Sequence, residues 1–375
     1  MAAIDTDVAI LGGGCAGLSI AVRLAGSGVR VAVIEPRLDY EDDRVWSFFR
    51  TRPDPFAACV RASWSRWHVS SAGVTVRRES NRLRYESVSS GAFYQLALQI
   101  CDAAPNVDLH LGTSVLAKPQ VPSMGGPWYV KTSAGELTSR YVIDTRPTGR
   151  TSGYGQSFLG QEIRVGFDAF DPSDVPMMCF AAPRLDRVDF VYILPFARDE
   201  ALVEVTTFGQ EIPDIRDHRT WLNAEIARLA RGQSYDVLRE ERAFIPMVLA
   251  HPRTQVLTAG FAQAGLRGGA ARPSTGYAYQ RIQQMADLCA AQILRSADQI
   301  DLSLDSPVTH FMDGVFLRVL QRRPDRGPAL FSALFRNSPP NRLERFLSGS
   351  TAAIDRLSVM AALPPVPFLR EVFTQ

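Results

Sequence analysis

One acidic side chain lies in a run of residues whose pattern is typical of a half-buried β-strand. In residues 201–208, strand alternation places Glu204 on the same face as Leu202 and Phe208. Burial among apolar side chains penalises the charged carboxylate and therefore raises its pKa. A carboxylic acid that keeps its proton in an apolar site can protonate an unactivated substrate. The same pattern also fits a glutamate that reaches the sheet edge or pairs with one of the many arginines.

Glu162 is a second candidate acid, in the strand-like segment from 160 to 165. Alternation places it on the face opposite Ile163 and Val165, and an ion pair with a nearby arginine is its alternative role. The histidines lack the spacing of four residues that puts two metal ligands on one face of a helix, and the sequence therefore predicts no metal site. They lie at positions 68, 110, 218, 251 and 310.

A glycine-rich turn near the start of the chain has the spacing of a dinucleotide-binding fingerprint. Gly12, Gly14 and Gly17 satisfy the pattern G-x-G-x-x-G. The first glycine permits a tight turn, the second lets the backbone approach a pyrophosphate, and the third lets the following helix pack on the strand. The helix amino terminus presents free N–H groups to phosphates. Glu35, at the end of the next predicted strand, can accept hydrogen bonds from ribose hydroxyls.

The elements around this turn predict an α/β fold that opens with a Rossmann-type βαβ unit. Strands are expected over 7–11 and 29–35, with a helix over 16–25 between them. A strand over 255–261 and a helix over 277–294 are expected to return the chain to the same sheet.

Strands dominate the middle of the chain, including a hairpin between 190 and 207, with one helix over 219–230. The tail reads as amphipathic helices broken by prolines. We therefore predict a dinucleotide-binding domain interrupted by an inserted β-sheet substrate domain and followed by a helical C-terminal tail. The expected boundaries are 1–150 and 253–300 for the first domain, 151–252 for the inserted domain and 301–375 for the tail.

The composition excludes several classes of protein. With 41 Lys plus Arg against 39 Asp plus Glu, the net charge of +2 does not favour a nucleic-acid partner. The five cysteines include no C-x-x-C pair, which fits a reducing cytoplasm better than a disulfide framework or a zinc site. No window approaches the roughly 20 apolar residues of a spanning helix. Residues 1–7 lack the features of a signal peptide, so we expect a soluble or peripheral protein.

Several longer motifs resemble the lycopene β-cyclase family of FAD-binding proteins, over nearly the whole length of the chain. The middle motifs are more specific than the glycine fingerprint, because ordinary flavoprotein hydroxylases do not share them. The motifs are Gly12–Gly17 with Glu35, Arg44–Phe48, Gly155–Glu162, Phe190–Pro195, Leu202–Thr206, Ile245–Met247, Pro273–Tyr277 and Pro364–Leu369.

The resemblance implies a reaction without net redox change. The ψ-end of lycopene is protonated, the cation closes a six-membered ring, and loss of a proton leaves a β-ionone ring, giving γ- or β-carotene. FAD is implied in its reduced form, with NAD(P)H as the reductant. The acidic strand residue of the family corresponds to Glu204, with Glu162 as a second candidate to orient it. Reduced flavin, Phe190, Tyr192 or Phe208 could stabilise the cation.

The resemblance also implies the residues that hold the cofactor. Besides Gly12, Gly14, Gly17 and Glu35, these are Arg44, Gly268, Gly269, Pro273, Thr275 and Gly276. Two positions differ from the family pattern: Val205 stands where some branches carry an acid, and Arg272 stands where other members have His or Lys. These differences leave open whether one ring or two is formed.

A membrane-soluble substrate requires the enzyme to reach a bilayer. We expect a cytoplasmic protein that associates peripherally with the inner face of the membrane, through the apolar segments 330–335 and 343–347. These segments could instead pack the tail on the main body. The oligomeric state is not determined by the sequence.

Two other functions fit the glycine fingerprint. An FAD-dependent monooxygenase or epoxidase acting on a polyene would consume oxygen, although many flavin hydroxylases carry Gly-Asp where this chain has Gly260-Phe261. A carotenoid or lipid carrier would retain FAD without turnover.

Overall fold

The fold is described from a computed structural model, for residues 5–121, 126–147, 153–210, 214–247, 249, 258–339, 341–350 and 352–373. The strands are β1 Thr6–Leu11, β2 Val31–Glu35, β3 Val45–Phe49, β4 Val60–Trp64, β5 Arg66–Ser71, β6 Val74–Glu79, β7 Tyr85–Ser89, β8 Val107–Leu111, β9 Trp128–Thr132, β10 Gly135–Asp144, β11 Gly155–Val165, β12 Asp174–Phe180, β13 Arg187–Pro195, β14 Glu200–Gly209, β15 Tyr235–Pro246 and β16 Phe261–Gln263. The α-helices are α1 Cys15–Leu24, α2 Ser90–Asp102, α3 Ile215–Leu229, α4 Tyr279–Leu294, α5 Pro307–Arg322, α6 Gly327–Asn337, α7 Arg342–Leu347, α8 Ala353–Ala362 and α9 Pro365–Phe373.

The amino-terminal sheet is parallel in the order β16-β10-β1-β2-β8, with β9 antiparallel to β10. Strand β1 is apolar on both faces because α1 and α4 cover one side of the sheet and Trp128 and Val130 pack on the other. The Rossmann-type α/β fold predicted from the sequence is therefore confirmed. Of the strand expected over 255–261, residues 255–257 lie outside the described part, as does His251, and the observed strand β16 spans Phe261–Gln263.

The second sheet has the order β15-β11-β14-β13-β12-β5-β6 and is antiparallel except where β12 pairs with β5. Strands β13 and β14 form the expected hairpin. Helix α3 packs on the outer face of the sheet through Leu222 and Ile226. It starts four residues earlier than predicted, because the Asp214 side chain accepts a hydrogen bond from Arg216 N–H and caps the first turn. The small sheet β3-β7-β4 pairs separately. The domain boundaries stay a prediction.

Helices α5–α9 form a layer over the inner face of the second sheet. Phe331 and Leu334 of α6, with Phe346 of α7, belong to the same apolar core as Phe190 and Phe208 of the sheet. The expectation that segments 330–335 and 343–347 contact a membrane is wrong for both, because their large apolar side chains are buried in this core. The alternative, that they pack the tail on the main body, is what the structure shows.

Candidate active site

A cavity of about 430 Å³ lies between the inner face of the second sheet, the loop that precedes α4 and the tail helices. Its walls are mainly apolar and aromatic. The sheet contributes Phe158, Phe190, Tyr192, Leu202, Glu204, Phe208 and Glu241; the loop contributes Ser274, Thr275, Gly276 and Tyr277; the tail contributes Phe311, Phe316, Phe331, Phe335, Phe346, Met360, Phe368 and Leu369. An apolar ligand fits such walls better than a polar one.

Glu204 lines this cavity from the middle of β14 and is 6% exposed. The Thr206 hydroxyl donates a hydrogen bond of 2.7 Å to Glu204 Oε1. Burial, and secondly the negative charge of Glu241, raise the pKa of Glu204 to about 8, against the smaller opposing effect of the Thr206 hydrogen bond. At neutral pH this side chain is therefore mostly a carboxylic acid that can donate a proton.

Glu241 is a second carboxylate of the cavity, and it was not identified from the sequence. It lies on β15, where Val45 N–H donates to its Oε2 at 2.9 Å and Arg239 Nη1 donates at 2.7 Å. Gly160 of β11 is the register partner of both Glu204 and Glu241. A lone glycine inside a strand often marks a close approach, so Gly160 was the signal available in the sequence.

Glu162 lies apart from this cavity and lines a separate polar one with Arg61. Arg61 donates to both of its oxygens, at 2.6 and 2.9 Å, and Arg239 donates at 3.2 Å. Burial alone would raise its pKa, but these guanidinium groups hold the pKa of Glu162 below its usual range. The ion-pair alternative is therefore what the structure shows, and these contacts give no support to a direct role in orienting Glu204. Across the described residues, no group of three or more acidic, histidine or cysteine side chains could hold a metal ion.

A group of tyrosines surrounds Glu204. Tyr192 is its register partner on β13, and the Tyr192 hydroxyl lies 2.7 Å from that of Tyr85. Burial raises the pKa of Tyr85, Tyr192 and Tyr277 well above the usual value. They therefore stay neutral. With Phe190 and Phe208, they give the cavity aromatic faces that can lie against a cation.

The glycine turn has the geometry that a pyrophosphate requires. A Cβ at Gly17 would lie 1.9 Å from Gly12 O, so only glycine permits this packing of α1, and Gly12 itself has a φ of +103°. A Cβ at Gly14 would meet no protein atom within 4 Å. The space beside Gly14, at the amino terminus of α1, is therefore open to a phosphate.

Glu35 and its neighbours hold the glycine turn in place. Glu35 accepts hydrogen bonds from Gly13 N–H at 2.6 Å and from Arg37 Nε at 2.7 Å. The Tyr40 hydroxyl donates to Gly13 O at 2.9 Å. Glu35 thus ends β2, as predicted, and its carboxylate lies against the turn, while its contact with a ribose stays a prediction. Arg44 lies later in the chain, directly before β3, and its exposed side chain is paired with Asp43.

A second glycine-rich loop, residues 265–276, joins this turn to the cavity. A Cβ at Gly265 would lie 2.7 Å from the Ala16 Cβ of α1, while Thr275 and Gly276 line the cavity. Gly269 and Gly276 have φ values of +79° and +73°, and a Cβ at Gly268 would lie 2.2 Å from Gln263 O. The structure therefore brings the two predicted glycine segments together at one end of the cavity.

Arg272 ties this loop to the tail helices. It is fully buried and donates to Asp313 of α5 through Nε and Nη2, each at 3.1 Å. It also donates to Phe346 O and lies over the Phe346 ring, 3.9 Å from its centroid. The Ser274 hydroxyl also donates a hydrogen bond of 2.8 Å to Asp313 Oδ1. Arg272, Asp313 and Phe346 thus form a buried clamp between this loop and the tail helices.

The family model described as "Lycopene cyclase protein" matches residues 7–372. A curated lycopene beta-cyclase from Pantoea ananas is 28% identical over 259 residues, which make up 62% of this chain and 63% of that protein. The chain therefore matches less than two thirds of the length of this relative.

Solved structures with a similar fold include a reductase-like protein and a monooxygenase. A geranylgeranyl bacteriochlorophyll reductase-like protein from Thermoplasma acidophilum has a TM-score of 0.63 at 12% identity, over 97% of this chain and 98% of that one. The flavin-dependent monooxygenase PieE, solved in complex with FAD and substrate, has a TM-score of 0.60 at 13% identity, over 96% of this chain and 72% of that one. At such identities the likeness shows the fold alone.

Proposed function

This chain belongs to the lycopene cyclase family, and from that premise we propose that it cyclises an acyclic carotenoid such as lycopene without net redox change. The observation that carries the proposal is Glu204, a buried acid that keeps its proton at neutral pH inside an apolar cavity. Such an acid suits the protonation of a hydrocarbon double bond, which offers no polar group for binding.

The proposed reaction involves no net gain or loss of protons, because the proton given to the substrate is balanced by the proton lost from the ring. Glu204 Oε–H delivers its proton to a terminal carbon–carbon double bond, leaving a carbocation. The π electrons of a nearby double bond close the six-membered ring, and loss of a ring proton to a carboxylate gives the cyclic alkene. Tyr192 and Phe208 present aromatic faces to the cation, and the apolar walls exclude water that would trap it.

FAD in its reduced form is the cofactor that we propose, with NAD(P)H as the source of electrons. Gly12, Gly14, Gly17 and Glu35 would hold the adenosine diphosphate half, where the open space beside Gly14 fits a phosphate. On the flavin side we place five residues of the second glycine-rich loop: Gly268, Gly269, Pro273, Thr275 and Gly276. Arg44 is a further candidate to bind the cofactor. Reduced flavin would supply negative charge beside the cavity.

Product analysis tests the proposed function. Expressed in cells that accumulate lycopene, the protein is expected to give γ- or β-carotene, and the purified, reduced holoenzyme should do so without oxygen. Substrate-dependent oxygen uptake with an oxygenated product would point to a monooxygenase instead. Binding of lycopene without any conversion under reducing, anaerobic conditions would point to a carrier.

Replacing Gly14 with Ala is expected to weaken FAD binding by about tenfold or more, because the methyl group would occupy the space proposed for the pyrophosphate. The thermal stability of the protein without cofactor should not change. The dissociation constant can be measured by flavin fluorescence titration. Gly28→Ala is the matched control, since a Cβ there also meets no atom within 4 Å. Wild-type affinity in Gly14→Ala would contradict the placement of the phosphates.

Membrane contact is proposed at the outer end of the cavity. Three helices that line the cavity, α5, α8 and α9, also carry exposed apolar side chains, which we call the apolar rim: Val308, Phe311, Ile354, Leu357, Met360, Val366, Leu369 and Val372. Phe311, Met360 and Leu369 are about half exposed and also line the cavity. An apolar substrate could therefore pass from a bilayer into the cavity without crossing water.

The charges near the apolar rim favour an anionic bilayer at the cytoplasmic face of the membrane. Asp355 of α8 and Glu371 of α9 are turned inward, where Arg345 and Arg322 pair with them. Arg370 is exposed on α9. Helices with apolar residues three apart and basic residues beside them bind at lipid interfaces. In the described part of the chain, no helix is long and apolar enough to span a membrane.

The double substitution Leu357→Glu/Leu369→Glu is expected to lower the bound fraction in a vesicle flotation assay by about tenfold or more, because two side chains would no longer enter the lipid. Vesicles of phosphatidylcholine with phosphatidylglycerol should bind the wild type better than phosphatidylcholine alone. Leu288→Glu, an exposed apolar residue on α4, is the matched control. Equal binding by the wild type, the double variant and Leu288→Glu would exclude the apolar rim as the docking surface.

A further inference from the structure

We propose that Glu204 and Glu241 work as one proton-sharing pair, in which Glu241 holds the negative charge and keeps the transferable proton on Glu204. The mechanistic use of this pair rests on the proposed cyclase function. The pair itself is a property of three adjacent strands, β14, β11 and β15, and of the side chains at one register position.

Gly160 makes the pair possible. In the antiparallel strands, Glu204, Gly160 and Glu241 occupy successive positions in one row across the sheet. Side chains in such a row lie on the same face of the sheet. Because β11 lies between β14 and β15, the backbones of these two strands are about 10 Å apart. A Cβ at Gly160 would lie 3.3 Å from Glu204 Cβ and 3.4 Å from its Cγ. With glycine there, no side chain stands between the two carboxyl groups.

The surroundings of the two carboxyl groups are unequal. Arg239 and Val45 N–H both donate to Glu241, and the charge of Arg44 also favours its ionised form. Among the described residues, the hydrogen-bond donor to Glu204 is the neutral Thr206 hydroxyl, and the neutral phenols of Tyr192 and Tyr85 lie nearby. Although burial raises the pKa of both groups, the ionised member is therefore Glu241.

The pair returns to its starting state after each turnover. Glu204 gives its proton to the substrate carbon, so that both carboxyl groups are ionised while the ring cation lies in the cavity. The ionised Glu204 stabilises the cation beside it, and repulsion from the charge of Glu241 favours return of a proton to Glu204. The proton lost from the ring then restores the single proton of the pair. Glu241 acts through Glu204 and is therefore a positioning residue.

Infrared titration of the FAD-loaded protein tests the pair without substrate. The C=O stretch of protonated Glu204, identified by its absence in Glu204→Gln, is followed against pH. In Glu241→Gln the midpoint of this band is expected to fall by about one pH unit or more, because the neighbouring negative charge is gone. The pH above which cyclisation is lost should fall with it. Glu241→Asp, which keeps the charge, should restore most of the wild-type midpoint.

Glu240→Gln is the matched control, because Glu240 is the adjacent residue of β15 but is bonded to Arg219 and Gln161 away from the cavity. An unchanged Glu204 midpoint in Glu241→Gln, or an equal fall in Glu240→Gln, would overturn the proposal. If Glu241→Gln does not fold, Glu204→Gln tests which member carries the charge: Glu241 should be ionised at neutral pH there too, and a C=O stretch of protonated Glu241 at that pH would overturn the proposal. A shifted midpoint in a protein that cyclises nothing would refute the function and leave the pair intact.

Discussion

Glu204→Gln is expected to lower the rate of carotenoid cyclisation by about a thousandfold, while the fold and the bound FAD are retained. The amide has nearly the same shape and can still accept the Thr206 hydrogen bond, but it has no acidic proton to give. The readout is the rate of cyclic product formation by the reduced holoenzyme, with bound flavin measured by absorbance. Activity within about tenfold of the wild type would exclude Glu204 as the acid.

The pH dependence of the rate provides a second test of Glu204. The protonated form is the active one, and its pKa lies near 8, so the rate should be maintained at neutral pH and fall as the pH rises through this value. Glu200→Gln is the matched control: Glu200 is on the same strand but pairs with Arg61 and Arg164. It should leave the rate and its pH dependence unchanged. A rate that rises with pH through this range would contradict the role of Glu204 as a general acid.

Arg272→Met is expected to destabilise the protein by about 3–5 kcal/mol, which is the usual effect of leaving one member of a buried ion pair alone. Among the described residues, Asp313 would keep only the Ser274 hydroxyl as a donor, although the Asp313 residue is just 2% exposed. Because Ser274 and Asp313 also line the cavity, the reduced holoenzyme should lose activity as well. The free energy of unfolding is measured by urea titration, with tryptophan fluorescence as the signal.

A double substitution separates the ion pair from general damage to the core. Arg272→Met/Asp313→Leu should recover most of the lost stability, because no charge is then left unpaired in the core. Arg228→Met, which removes an exposed partner of Glu225 on α3, should change the stability little. A single Arg272→Met variant as stable as the wild type would show that the buried clamp does not hold the tail on the main body.

The sequence was informative where the relevant contacts are local along the chain. The glycine spacing and the apolar runs around it predicted β1, α1 and β2, and the structure confirms the Rossmann-type fold. Alternation in residues 201–208 placed Glu204 on the apolar face of its strand, where it lies. Turn geometry and side-chain periodicity depend on neighbouring residues, so a single sequence contains them. The catalytic role of Glu204 stays a prediction.

The tertiary structure decided which side chains meet from distant parts of the chain. Alternation gives the face of a strand but not its neighbours in the sheet, so the sequence proposed Glu162 as the companion of Glu204, whereas strand order places Glu241 there. Likewise, an amphipathic helix has an apolar face whether it packs on the protein or on lipid. Only the assembled tail shows that Leu330 and Leu343 are buried while Leu357 and Leu369 are exposed. Burial and pairing are properties of the packed whole, because each depends on residues that the local sequence does not contain.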